Sequence, residues 1–312
     1  MKKISIVSPC YNEQDNVRAC HEAVRALFER ELPGYEREHI FADNCSTDGT
    51  VAILREIAAS DPAVKIVVNA RNFGVFRSTF NALQYASGDA TLLMLPVDLQ
   101  DPPELIPRFV RMWEEGHEVV AGQRSNREEG LVMRSMRGLF YRIVNRLAGF
   151  EIPEGVGEFQ LVDRKVLDCI LKYDDHYPYI RGMVAACGFK RVVVPYVWKS
   201  RKHGVSKIRI WELFDQAFNG MFSFTNVPMR LCTLFGFGIA GLCLLYALIT
   251  LAAYLTAPHL APRGVVSLVL GVFFLFSIQL IFIGLLGEYV TSIHAQVRRG
   301  PLVTERERIN ID

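Results

Sequence analysis

Through the first 200 residues, short apolar runs alternate with stretches whose apolar residues recur at helical spacing. The runs ISIVS, HIFAD, KIVVN, ATLLML and EVVAG read as strands, and 15–30, 50–60 and 76–86 read as helices. The runs are continuous rather than alternating, as expected of strands buried on both faces. Strand and helix in alternation predict helices packed on a mostly parallel sheet. In STDGT, Ser46 or Thr47 is a candidate N-cap for the helix VAILREIAA, and PPELIPRFV predicts another helix with Asp101 as its cap.

Past residue 230 the pattern changes. Leu231 to Pro262 contains no Asp, Glu, Lys or Arg, and neither does Gly264 to Gly287. Each run exceeds the roughly 20 residues that cross a bilayer core, so a hairpin of two membrane helices is expected, at 231–256 and 265–287. Lys and Arg crowd the outer flanks, in KSRKHGVSKIR and QVRRG, which puts both ends on the cytoplasmic side. Between 201 and 230, Trp211, Phe214, Phe218, Phe222 and Phe224 suit helices lying in the membrane interface. The expected organisation is a cytosolic domain at 1–200, juxtamembrane elements at 201–230, two spans within 231–289, and a polar, extended or disordered tail at 290–312.

Composition narrows the function classes. The chain of 312 residues has a formal net charge of +2 and a pI near 8.1, which excludes bulk-charge binding of nucleic acid. Seven cysteines, an odd number with no CxxC, argue against a disulfide framework or zinc site and for a reducing compartment. The start, MKKISIVSP, lacks the long apolar stretch and small-residue cleavage site of a secretion signal.

Open α/β sheets bind ligands beyond the carboxyl ends of their strands. Here those ends read SPCYNE, ADNCSTDG, PVDLQDPPE and AGQR, rich in carboxylates and amides, and no GxxxxGK phosphate loop is present. Such groups suit ribose hydroxyls and base edges, and a divalent cation on a diphosphate.

In order and spacing, SPCYNE, ADNCSTDGT, RNFGVFRSTFNAL, ASGD and DLQDPPEL resemble the first domain of family 2 glycosyltransferases of GT-A fold, over residues 4 to 125. GEFQLVDR, RKHGVSK and the hairpin resemble, more narrowly, the polyprenyl-phosphate glycosyltransferases, a group that includes dolichol-phosphate mannose synthase and bacterial undecaprenyl-phosphate transferases. The resemblance implies a nucleotide bordered by Pro9, Tyr11 and Glu13, with Asp43 at its base and Asp98 also in the nucleotide site. It implies Mg²⁺ or Mn²⁺ on Asp98 and Gln100, which makes Asp98 catalytic, and Glu158 as catalytic base. It implies a lipid phosphate held by Arg124, Arg134, Ser135 and Arg137, with Arg201, Ser206 and Lys207 closing over the phosphates. The implied reaction is inverting transfer from a UDP- or GDP-sugar to undecaprenyl phosphate at the cytoplasmic face of a bacterial inner membrane, by a homo-oligomer such as a tetramer. Another membrane acceptor (diacylglycerol or a polysaccharide) and a non-catalytic scaffold are the alternatives. Three departures stand out: Pro96 where the family has the first Asp of Asp-x-Asp, Glu158 for Asp, and Asn44-Cys45 for Asp-Gly.

Overall fold

The computed structural model describes residues 1–124, 153, 155–173, 175, 178–198, single positions and short helical pieces between 234 and 256, 264–297 and 300–311. It divides into two units, Met1–Gly220 with Gly300–Asp312, and Met221–Arg299.

The first unit is built on one eight-stranded sheet: β1 (Lys2–Cys10), β2 (Tyr35–Asp43), β3 (Val64–Asn69), β4 (Ala90–Leu92), β5 (Val119–Arg124), β6 (Val156–Asp163), β7 (Arg191–Tyr196) and β8 (Glu305–Ile309). Their spatial order is β7-β5-β6-β4-β1-β2-β3-β8. Pairs β1–β2, β1–β4, β2–β3 and β5–β7 are parallel; β4–β6, β5–β6 and β3–β8 are antiparallel. The helices are α1 (Val17–Glu31), α2 (Thr50–Ser60), α3 (Val75–Leu83), α4 (Ile106–Glu114), α5 (Arg164–Ile170) and α6 (Ile180–Ala186), with α7 (Val265–Val297) in the second unit. The mostly parallel α/β sheet expected from the runs is therefore present.

The continuous runs are buried for the reason anticipated. Ile4, Ile6 and Val7 on β1, Ile40 and Phe41 on β2, and Leu92 and Leu93 at β4 are all fully buried. Each such side chain contributes about 1.5–3 kcal/mol when removed from water. Alternate positions of the central strands carry buried polar groups that bond to one another. Ser5 donates to Glu38, and Ser8 Oγ lies 2.9 Å from His39 Nε2.

Three strands went unanticipated. β6 and β7 lie in segments read for motifs rather than periodicity. β8 decides between the two states expected of the tail, extended or disordered: ERERI alternates charge, yet it is an extended strand paired antiparallel to β3. Tyr85 Oη donates to Glu305 at 2.8 Å, and Asn310 Nδ2 donates to the carbonyls of Ala58 (3.0 Å) and Val64 (2.9 Å). An edge strand with one partly solvated face needs little apolar character, so composition conceals it.

In the second unit α7 runs 33 residues, ten past its expected end at 287. No proline interrupts GEYVTSIHAQV, so the helix continues through polar residues. Its stretch Phe274–Thr291 is long and apolar enough to cross a membrane, and none of it is buried within the protein. The described residues of the first expected span, among them 234–239, are helical; the interfacial segment 201–230 lies outside the described residues.

His39 is wholly buried, and burial, then Arg37 and His21, hold its pKa well below the usual 6.5. It stays neutral in the fold but protonates when unfolded, so its contribution is present above pH 6.5 and lost as pH falls below it. Stability of the detergent-solubilised protein should fall between pH 7 and pH 5, with His39 contributing up to about 1.4 kcal/mol per pH unit below 6.5. His39→Gln should flatten that slope in denaturant titrations; an unchanged slope would show that other groups carry it.

Candidate active site

Strands β4, β1 and β2 lie side by side and parallel, so their carboxyl ends share one rim. The loop leaving each contains a non-glycine residue in the left-handed region: Leu99 (φ 55), Asn12 (φ 53) and Cys45 (φ 67). The fourth such residue among those described, Asn310 (φ 56), follows β8. Backbone strain of this kind concentrates where a fold holds a functional geometry.

The β1 and β2 loops are stitched together. Asn12 N donates to Ser46 Oγ (2.9 Å), Thr47 N to Asn12 Oδ1 (2.7 Å), Glu13 N to Thr50 Oγ1 (2.9 Å) and Gly49 N to Gln14 Oε1 (2.9 Å). Ser46 and Thr47 are therefore not helix caps as expected: α2 starts after Gly49, and Ser46 serves Asp43 instead, through its amide (3.0 Å) and hydroxyl. Asp43 is fully buried. Burial raises its carboxyl pKa, against the lowering effect of the Ser46 bonds. Pro9, Tyr11 and Glu13 are half-buried along the same rim, and Glu13 Oε2 accepts from Asn16 Nδ2 at 2.6 Å.

Asn44, one of the departures, has a structural explanation. Its Nδ2 donates to Asn72 Oδ1 (2.8 Å), while its Oδ1 accepts from Asn69 Nδ2 (3.1 Å) and the amide of Phe73 (2.9 Å). A carboxylate would lose the donor and set two acceptors against each other. Sequence reading missed this ladder because nothing in ADNC or RNFG shows that the amides meet.

Beyond β4, Leu95 N still bonds Val7 O (2.8 Å); Pro96 then opens a turn in which Leu99 N donates to Pro96 O (3.1 Å) and Gln100 N to Asp98 Oδ1 (3.3 Å). Buried Asp98 and half-buried Gln100 thus share one tight turn. Asp101 does not cap the helix that follows. That helix begins as a 3₁₀ turn at Pro103–Leu105 without a side-chain cap. Asp101, 2% exposed, instead accepts from Arg124 Nη2 (3.2 and 3.1 Å) and from Tyr196 Oη. Arg124 Nε donates to Tyr196 Oη (3.2 Å), and its guanidinium stands over Trp198, 4.9 Å from the ring centroid. Burial opposes the Arg124 charge, but Asp101 and Tyr196 outweigh it and raise the pKa. Arg124, read as a lipid-phosphate ligand, is thus held by protein partners.

β6 runs antiparallel between β4 and β5, so its first residues enter at the rim where β4 leaves. The register with β5 shifts between Ala121 and Gln123. A Cβ on Gly122 would stand 2.8 Å from the Phe159 ring and 2.9 Å from that of Tyr196. Phe159 packs on Phe109, 5.1 Å between centroids, which faces Glu158 to the other side of the strand. There Glu158 Oε1 lies 3.7 Å from Arg181 Nε on α6. That oxygen is buried and accepts no hydrogen bond among the described residues. Arg181 was not anticipated.

Arg134, Ser135, Arg137, Arg201, Ser206 and Lys207 lie outside the described residues. A depression of about 470 Å³, lined by Arg25, Tyr35, Arg37 and Asp61 among others, sits by the amino end of β2, away from the rim. Among the described residues no three His, Cys, Asp or Glu side chains group into a complete metal site. One carboxylate and one amide on the Asp98 turn do fit a Mg²⁺ or Mn²⁺ that keeps water and phosphate oxygens as its other ligands.

Residues 5–171 match the model of glycosyl transferase family 2. The SfII prophage-derived bactoprenol glucosyl transferase of Shigella flexneri is 35% identical over 300 residues, 96% of each chain. The prophage bactoprenol glucosyl transferase homolog of Escherichia coli K12 is 34% identical, covering 96% of this chain and 97% of that one. Among solved structures, glucosyl-3-phosphoglycerate synthase of Mycobacterium tuberculosis, determined with Mn²⁺, UDP and glucosyl-3-phosphoglycerate, is 20% identical, with a TM-score of 0.48, over 71% of this chain and 78% of that one.

Cys45 holds the left-handed position where glycine carries no Cβ penalty. Cys45→Gly is expected to stabilise the protein by about 1 kcal/mol, net of glycine's greater unfolded-state freedom. Chemical denaturation of the two forms checks this, and a destabilised variant would mean that the thiol's 3.6 Å contact with Ala70 O outweighs the backbone term.

Proposed function

Because the chain belongs to glycosyl transferase family 2, we propose that it transfers a sugar from a nucleotide-sugar, a UDP- or GDP-sugar, to polyprenyl (undecaprenyl) phosphate with inversion. The chain is a glycosyltransferase; donor, acceptor and residue roles are the proposal. The observation that carries it is the meeting at one rim of the Asp98–Gln100 turn and the start of β6, which bears Glu158.

The nucleotide lies over the ends of β1 and β2, bordered by Pro9, Tyr11 and Glu13. Asp43 is buried behind Ser46 and shapes the base pocket through that hydroxyl. Asp98 and Gln100 would hold a divalent cation, which would supply charge neutralisation for the leaving diphosphate. Pro96 leaves that donor set one carboxylate short of the family's Asp-x-Asp.

Glu158 orients the acceptor phosphate and takes its residual proton, whose pKa is about 6. Its buried oxygen, which accepts no hydrogen bond among the described residues, lies 3.7 Å from Arg181 Nε, so a donor on the acceptor phosphate finds it unoccupied by the protein. Glutamate reaches about 1.5 Å farther than aspartate, which sets the acceptor that much farther from β6. Arg134, Ser135, Arg137, Arg201, Ser206 and Lys207 hold the lipid phosphate. Arg124 supports them from its seat on Asp101, offering the guanidinium surface that Asp101 leaves open.

The relatives' names supply the acceptor class, bactoprenol, and glucose as the first sugar to try. The apolar α7 supplies a membrane anchor. The protein sits in a bacterial inner membrane, with its catalytic domain and both termini cytoplasmic, as a homo-oligomer such as a tetramer.

Purified full-length protein should be incubated with labelled UDP-glucose or GDP-mannose, Mg²⁺ or Mn²⁺, and either undecaprenyl phosphate or diacylglycerol. Label is expected in an acid-labile lipid with undecaprenyl phosphate. Label only in diacylglycerol, or none with any donor, overturns the acceptor or the activity. Asp98→Ala and Glu158→Gln should each lower kcat by about 10²–10⁴. Either variant turning over at the parental rate removes its residue from the mechanism.

A further inference from the structure

Cys169 and Cys187 lie outside the site just described, and their sulfurs are 2.9 Å apart. Cys169 is in the last turn of α5 and Cys187 directly follows α6. Both are free and partly exposed, so a small oxidant reaches them. The other described cysteines do not combine these features: Cys10 and Cys20 are buried, and Cys45 bonds a backbone carbonyl. α5 and α6 pack on each other and on β6. The first residues of α6 carry Arg181, 3.7 Å from Glu158 on β6.

We propose that Cys169 and Cys187 form a reversible dithiol–disulfide pair, oxidised by low-molecular-weight disulfides, that ties α5 to α6 and so fixes the helix facing Glu158. In the first exchange the Cys169 thiolate attacks oxidised glutathione, giving a mixed disulfide and one glutathione thiolate. Cys187 then attacks the Cys169 sulfur, forming the protein disulfide and releasing the second glutathione. The two thiol protons pass to the two glutathione thiolates, and the two electrons leave with them. In this order Cys187 is the second nucleophile, attacking across the 2.9 Å that separates the sulfurs. Burial, then its hydrogen bond to Cys169, pushes the Cys187 thiol up to about 12. Exchange is therefore slow at neutral pH and quickens as pH rises. The redox chemistry stands apart from the transfer reaction and does not rest on it.

The test uses the full chain in detergent, treated with oxidised glutathione at pH 8 and digested without reduction. A cross-linked peptide pair containing Cys169 and Cys187, two hydrogens lighter than the reduced peptides, is expected and should disappear with dithiothreitol. Cys187→Ser should leave Cys169 as a stable glutathione adduct, whereas Cys169→Ser should leave Cys187 largely unmodified. In the oxidised wild type, amide exchange across Ile180–Ala186 should slow several-fold. Absence of the cross-linked pair overturns the redox site. Unchanged exchange in α6 despite the cross-link overturns the clamp, and a Cys187 adduct in Cys169→Ser equal to that of Cys169 in Cys187→Ser overturns the order of attack.

Discussion

The site depends on one topological constraint: β6 runs against its neighbours. Had it joined the sheet parallel to β4, Glu158 would emerge at the amino end of the strands, far from Asp98. The reversed strand is fixed at both ends. At its start, Gly122 leaves room for Phe159 and Tyr196. At its finish, Asp163 accepts from Trp113 Nε1 (2.8 Å) and caps α5 through Lys165 N (3.1 Å). Sheet, α4 and α5 thus hold the carboxylate's backbone, and α6 supplies the nearby charge. In the role proposed for Glu158, a group so placed needs little reorganisation when substrate arrives.

Around this strand the rim trades local comfort for shape. Three adjacent loops each hold a residue in an unfavourable backbone region, at about 1–3 kcal/mol apiece. In the β1 and β2 loops side-chain amides and hydroxyls keep them there, whereas Leu99 packs its side chain against the core. Asn12, Asn44, Asn69 and Ser46 each serve more than one bond. Buried networks of this kind are stable only when every member is satisfied. That explains why Asn44 is an amide: its ladder has a place for a donor that a carboxylate could not fill.

How far the fold could be read from the chain varied with the kind of signal. Strands β1 to β5 announced themselves because burial on both faces demands unbroken apolar runs. The Asp98 turn was visible because acidic residues at a strand's carboxyl end have few structural reasons to be there. By contrast Asp101 was misread as a cap, since proximity to a helix start is a one-dimensional clue. Its partners Arg124 and Tyr196 are distant in sequence and meet it only once β5 and β7 pair. Arg181 escaped notice for the same reason: its significance is the 3.7 Å to Glu158, which no spacing encodes. β8 escaped because alternating charges are as good for a solvated edge as for a free tail.

That last strand has a consequence for biosynthesis. β3 is an interior strand only because β8 covers it, and β8 is translated after the apolar helix α7. During synthesis the nascent domain therefore carries an open sheet edge, a surface prone to pairing with other chains. The edge closes only after the chain beyond α7, which carries β8, has been made. Completion of the sheet is thereby coupled to synthesis of α7, and a chain terminated before β8 would present an adhesive edge that quality-control proteases can recognise.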